Sequence, residues 1–378
     1  MAVSNYPYFT LHKKTQIFFA VAVLTALGLA SAYFYSEKIK RDNLATRRFV
    51  ADYQEAVASH NRGDYDAAVA KFKQALMEAP NKTAEAEIQR KIARSLLRGP
   101  ESNQAEAIRL YKEIIDDPLV PKHLRAFALN DMAFAFDLRG FVGDQTFLEK
   151  AVFNEEPYAS YLQESNTGIY GAVRRIYEQS DALYPTAFAK LEIAFKYAVT
   201  MNMGTREAGL SAEQTATLVR KYIDEATPLM GAFPYEGSLL AYMHLIRGVA
   251  LGTIEQADKN NANSDESEAA YKSAILTVST ASPEDVHAQT ILMLARLWYA
   301  ANLGYRFGAA RTGDIQMLIG PIIEAKSINT QPATYLRSHI RWVGNWTSGG
   351  VLRKGLFEIA GILPEFRSLL IELGWRIT

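Results

Sequence analysis

The six histidines of this 378-residue chain stand at positions 12, 60, 123, 244, 287 and 339. No two are three or four residues apart, the spacing that sets a pair of metal ligands on one helical face. His287 has an acidic near neighbour in Asp285, but side chains two apart on a helix diverge, so the two are not placed for proton transfer. Cysteine is absent. That removes disulfides, thiolate ligands, cysteine nucleophiles and a bacterial lipoprotein anchor together. The motifs GxxxxGK, GxGxxG, GxSxG and HExxH are all missing, and with them the commonest phosphate, dinucleotide, serine-hydrolase and zinc-protease signatures. Asp258–Glu268 (DKNNANSDESE) has the composition of a calcium loop but lacks its sixth-position glycine and twelfth-position glutamate. The reading is of a chain that is not an enzyme and has no cofactor or metal.

Lysine plus arginine and aspartate plus glutamate number 41 each, so the formal charge is zero. No long stretch is basic, which sets nucleic-acid binding aside. Apolar residues make up 49% and charged residues 22%, the balance of a globular chain with a substantial core.

Any site must therefore be built by packing, and the packing signal is helical. Residues 63–81 read GDYDAAVAKFKQALMEAPN. Ala68, Phe72 and Ala75 fall at i, i+4 and i+7, one face of a helix. Pro80 cannot donate to a helix and ends the run. Turn glycine (Gly63), Tyr65, small residues with one aromatic on the packing face and a closing proline, in that order, resemble the second helix of a tetratricopeptide repeat (TPR). The theme recurs in Ala107, Tyr111 and Ile114 before Pro118, at a spacing of 39 residues from Phe72 to Tyr111 rather than the family's 34. The extra residues are assigned to a loop at Gly99–Asn103. A third first-helix pattern is Leu129, Met132, Ala133 and Phe136, then Gly140. Its second helix departs, with Glu149 where an aromatic belongs, although Pro157 closes it. Farther on, Tyr271 and Ala274 resemble a second-helix face, and Ile291, Leu294, Ala295 and Trp298 a first-helix face. The resemblance implies an all-α, TPR-like helical-hairpin solenoid, with repeats over 49–157, irregular hairpins over 158–330 and capping helices over 331–378. It also makes Asp64 and Asp66 turn residues rather than an acidic pair.

Upstream, a tail (1–16) precedes Ile17–Tyr35, which reads IFFAVAVLTALGLASAYFY without a charge. As a helix it is about 28 Å long, close to a bilayer's hydrocarbon core. Lys13 and Lys14 flank one end, and a charged helix (36–48) follows. The span predicts a membrane anchor. The rival is a cleaved signal peptide ending at Ala30-Ser31-Ala32, opposed by the apolar run continuing to Tyr35. Basic residues on both flanks leave the orientation in conflict. Their count favours a cytoplasmic body, and the signal-like order favours a body outside the cytoplasm. The second is preferred, as a single-pass protein of a bacterial inner membrane.

A hairpin stack curves and offers a concave groove to other proteins. The resemblance thus implies a membrane-tethered scaffold or co-chaperone, similar in layout to bacterial inner-membrane TPR proteins of secretion or envelope assembly. The chaperone-tail clamp of some TPR proteins is missing, because Tyr53, Val57, Phe127 and Asp131 stand at its first-helix positions in the first and third repeats. Tyr53, Asn130 and Phe134 are the groove candidates for partner binding, with a place in the core as the competing reading. Two alternatives stay open: an envelope glycan-binding module using tyrosines and the late tryptophans, and a structural subunit of a large membrane complex.

Overall fold

Helix ends follow from local chemistry. Asp64 accepts a hydrogen bond from the Ala67 N–H, Asn81 from Ala84, Thr186 from Ala189, and Asp285 from His287 and Ala288. Each such cap satisfies an orphan donor and stabilises its helix by about 1 kcal/mol. Ser211 and Gln214 form a reciprocal capping box. Asp64 and Asp285 are thereby explained as caps; Asp285 touches His287 through its backbone, not its ring.

The computed structural model describes residues 48–142, 146–204, 209–232, 235–258, 261–345 and 350–377. In chain order the helices are α1 (48–61), α2 (Tyr65–Met77), α3 (Lys82–Leu96), α4 (Glu101–Asp116), α5 (Lys122–Val142), α6 (Thr146–Val152), α7 (Tyr158–Gln163), α8 (Ile169–Leu183) and α9 (Ala187–Asn202). They continue as α10 (Ala212–Ala226), α11 (Gly237–Asp258), α12 (Asn261–Val278), α13 (Val286–Phe307), α14 (Thr312–Glu324), α15 (Gln331–Gly344), α16 (Val351–Ile362) and α17 (Pro364–Glu372). No strand occurs among the described residues. The fold is an all-α array of helical hairpins, compatible with a TPR-like solenoid.

Neighbouring helices pack in sequence from α2 to α5, then α8 to α13. Ala68, Phe72 and Ala75 are fully buried, as are Ala107, Tyr111, Ile114, Leu129, Met132 and Ala133. The irregularity begins where Glu149 leaves the pattern. The third repeat's second helix is reduced to α6 and α7, and α5 packs instead on α8. The assigned loop at Gly99–Asn103 is shorter than expected, since α4 starts at Glu101. At the C-terminal end α14, α15 and α16 pack on α13, and α17 on α14 and α16.

The tail, the anchor Ile17–Tyr35 and residues 36–47 of the charged segment lie outside the described residues. Within them, α11 alone is long and apolar enough to cross a membrane, over Gly237–Ile254, yet 67% of that stretch is buried inside the protein. It is a core helix by position.

Candidate functional site

The array does not stay open. It curls until the first repeat meets the second half of the chain. The Gly63 turn has φ +81°, and a Cβ there would lie 2.9 Å from Gln331 Oε1. The hydroxyl of Tyr65 accepts from Arg98 at 3.3 Å and from Gln331 at 3.2 Å. The rings of His60 and His287 stack with centroids 4.8 Å apart. Lys91 donates to Glu236 at 2.7 Å. Gly63 and Tyr65, read from sequence as residues of one repeat turn, thus also form the seam that closes the molecule. Pro80 is exposed and ends α2.

Closure turns the concave face into a cavity of about 570 Å³, with α1, α3 and α5 on one side and the start of α11 on the other. Tyr53, Phe127, Phe134, Phe188 and Leu239 form its apolar wall. Phe134 is held edge-on by Tyr242 and Phe188, at 5.1 and 6.0 Å between centroids, and Tyr53 is edge-on to Phe72. A smaller cavity of about 80 Å³ continues into the seam among His60, Arg94, Arg98, His287 and Gln331. Arg94, Phe134, Glu236 and Leu239 line both.

The three groove candidates therefore sit on one cavity wall. Asn130 is only 3% exposed, and its Oδ1 has no hydrogen-bond partner. A buried polar atom left in that state costs about 1–3 kcal/mol.

The other polar feature is a basic stripe on α3. Arg90, Arg94 and Arg98 recur every four residues, with Lys91 beside the first, so they share a face. Arg90 is fully engaged, donating to Asp131 at 2.5 Å and to Glu87 at 2.9 Å. Burial opposes its charge, but Asp131 and Glu87 outweigh burial and hold its pKa up. Glu236 would be raised by burial, yet Lys91 and Arg94 hold its carboxyl down to about 2. Lys91 itself is lowered, first by burial and then by Arg94, because one carboxylate serves several cations. His60 and His287 are both lowered, first by burial; His60 is lowered next by His287 and then Arg94, and His287 by Arg98 and then Arg94. Burial, with Glu87 and Glu236 nearby, pushes the Tyr53 phenol up to about 12. Among the described residues, no group of three or more His, Asp and Glu side chains is placed to hold a metal ion.

The α3 stripe is what the sequence reading missed. It lies on the first helix of the second repeat, whereas the clamp positions examined belong to the first and third. Its signal is legible: arginine at 90, 94 and 98 within a helix-period segment.

No protein family, curated protein or solved structure matches the chain. The class is accordingly set by the molecule itself: a helical-hairpin array closed around a cavity that stays open to solvent. The TPR likeness stands on the residues of the first two repeats.

Proposed function

We propose that this chain is a TPR-type scaffold, tethered to a bacterial inner membrane through Ile17–Tyr35, that holds a short extended segment of another protein in its cavity. Its body stands outside the cytoplasm, in envelope assembly or secretion. The observation that carries the binding reading is the cavity itself, with Asn130 set among the aromatic side chains of Tyr53, Phe127 and Phe134 on its wall. A side-chain amide offers an NH₂ donor group and a carbonyl acceptor, the complement of a peptide group. The cavity measures about 570 Å³. An extended run of a few residues fits, within the usual range of about 300–1,000 Å³ for ligand sites. Of the late tryptophans behind the glycan alternative, Trp375 is buried in the core, Trp342 packs against it and Trp346 lies outside the described residues.

The test pairs binding with stability. Pools of end-blocked random hexapeptides are titrated against the full chain in detergent, and against Asn130→Leu. Leucine has nearly the same shape and removes the unpaired group, which is neutral or stabilising for the fold. The expected result is an unchanged or raised melting temperature with binding weakened about tenfold. Equal binding by both proteins, or none by either, contradicts the reading.

A further inference from the structure

The charges around the cavity do not balance, and the imbalance has a location. Four cations of α3 face it: Arg90, Lys91, Arg94 and Arg98. Three carboxylates answer them: Glu87, Asp131 and Glu236. Asp131 and Glu87 are taken by Arg90, and Glu236 by Lys91. The one salt-bridge contact of Arg94 is the already engaged Asp131, at 3.9 Å, and it feels Glu236, the partner of Lys91, at longer range. The polar partners of Arg98 are neutral, the Tyr65 hydroxyl and His287 Nδ1. The unmatched positive charge therefore falls on Arg94 and Arg98, one helical turn apart. Both line the seam cavity, whose neutral polar lining includes His60, Asn61, Ser238, His287, Thr290 and Gln331, and whose one carboxylate is Glu236. At about 80 Å³ the space is far smaller than the main cavity and has room for a small oxyanion. Neither histidine competes as a cation, since burial and the two arginines keep both rings neutral.

We propose that this seam is an oxyanion site, taking one carboxylate or phosphate group between Arg94 and Arg98. The group belongs either to the peptide held in the main cavity or to a free ion. In the first case the inference rests on the peptide reading above and narrows it to an acidic segment. The planar guanidinium fork gives two parallel donors to such an anion. Because Arg98 also donates to Tyr65 and His287, the anion draws α3 toward α13, and occupancy tightens the closed array.

The experiment uses the full chain in detergent at constant ionic strength. Three matched hexapeptide pools are compared: end-blocked with one fixed glutamate, end-blocked with glutamine there, and the glutamine pool with a free C-terminal carboxylate. Inorganic phosphate is titrated alone, read by melting temperature, and as a competitor. Arg98→Gln and Arg94→Gln are the test variants; the second leaves the seam contacts of Arg98 in place if the first does not fold. Lys221→Gln, on the exposed face of α10, is the control. The expected result is about tenfold tighter binding of an acidic pool than of the neutral one, competition by phosphate, and loss of both effects in the arginine variants only. Preference for the glutamate pool assigns a side-chain carboxylate, and preference for the free-ended pool a chain terminus. Phosphate binding with no difference among the pools assigns the site to a free ion. Equal binding of all pools without a phosphate effect overturns the oxyanion site and leaves the peptide cavity standing. Failure of every pool, with phosphate still raising the melting temperature, overturns the peptide reading and leaves the site.

Discussion

Glu236 is the residue that sets the charge of the cavity from within. Its side chain is 52% exposed while that of Lys91, its partner, is 10% exposed. It is thus an acidic group at the rim, seated on a buried cation. Glu236→Gln frees that cation, so an acidic hexapeptide pool should bind several-fold more tightly, read by titration. The fold should lose about 1–2 kcal/mol, between the exposed and buried limits for ion pairs. Weaker acidic binding in this variant would show that Glu236 orders the site instead of competing for it. The histidines make a second prediction. His60, His287 and His339 all titrate below their ordinary value in the fold, burial being the first cause. His339, whose Nε2 accepts from the Trp298 indole at 3.1 Å, falls to about 3. The unfolded chain takes up these protons near pH 6.5, and the folded chain only at lower pH. Stability contributed by neutral histidine is therefore complete above about pH 6.5 and declines below it. The decline is up to about 1.4 kcal/mol per pH unit for each group, continuing toward pH 3 for His339. Urea midpoints between pH 7.5 and 5 read the slope, and a flat profile contradicts it.

Among the elements, α13 and α16 cross with backbones in close approach. A Cβ on Gly355 would sit 1.9 Å from the Ala301 carbonyl oxygen, and one on Gly304 would sit 2.9 Å from the Gly355 carbonyl oxygen. Both obstacles are backbone, so the helices themselves must part. Gly355→Ala should cost about 3 kcal/mol, the upper end for overpacking. Gly361→Ala, on the same helix with nothing within 4 Å, should gain about 0.5 kcal/mol from helix propensity. Similar melting temperatures for the two would show that α16 does not cross α13 at Gly355. The elements were largely legible in the sequence where the cause is local. The i, i+4, i+7 pattern of Ala68, Phe72 and Ala75 returns as a buried face, and Asp64 caps because of its place in the turn. The glycine crossing was not legible, because Gly304 and Gly355 meet only through tertiary placement. The broken third repeat was partly legible: Glu149 marks the departure, but nothing in the pattern pairs α5 with α8.

At the scale of the whole molecule, the decisive feature is closure, which no periodicity records. Tyr65 and Gln331 are hydrogen-bonded across 266 residues of chain. Such a contact leaves no trace in a local window, whereas Tyr53, Asn130 and Phe134 could be placed on the groove because their helices repeat. On the proposed reading, closure narrows the partner from anything that lies along an open groove to a segment that enters the cavity. The most direct test is site-specific photo-crosslinking in intact cells, with a benzophenone side chain at position 127 on the cavity wall or at position 77, where Met77 is 81% exposed. The account predicts adducts at 127 that map to a short linear stretch of another protein, with acidic residues in it, and none of these at 77. Adducts at 77 alone, or adducts at 127 that map only to this chain, would contradict it.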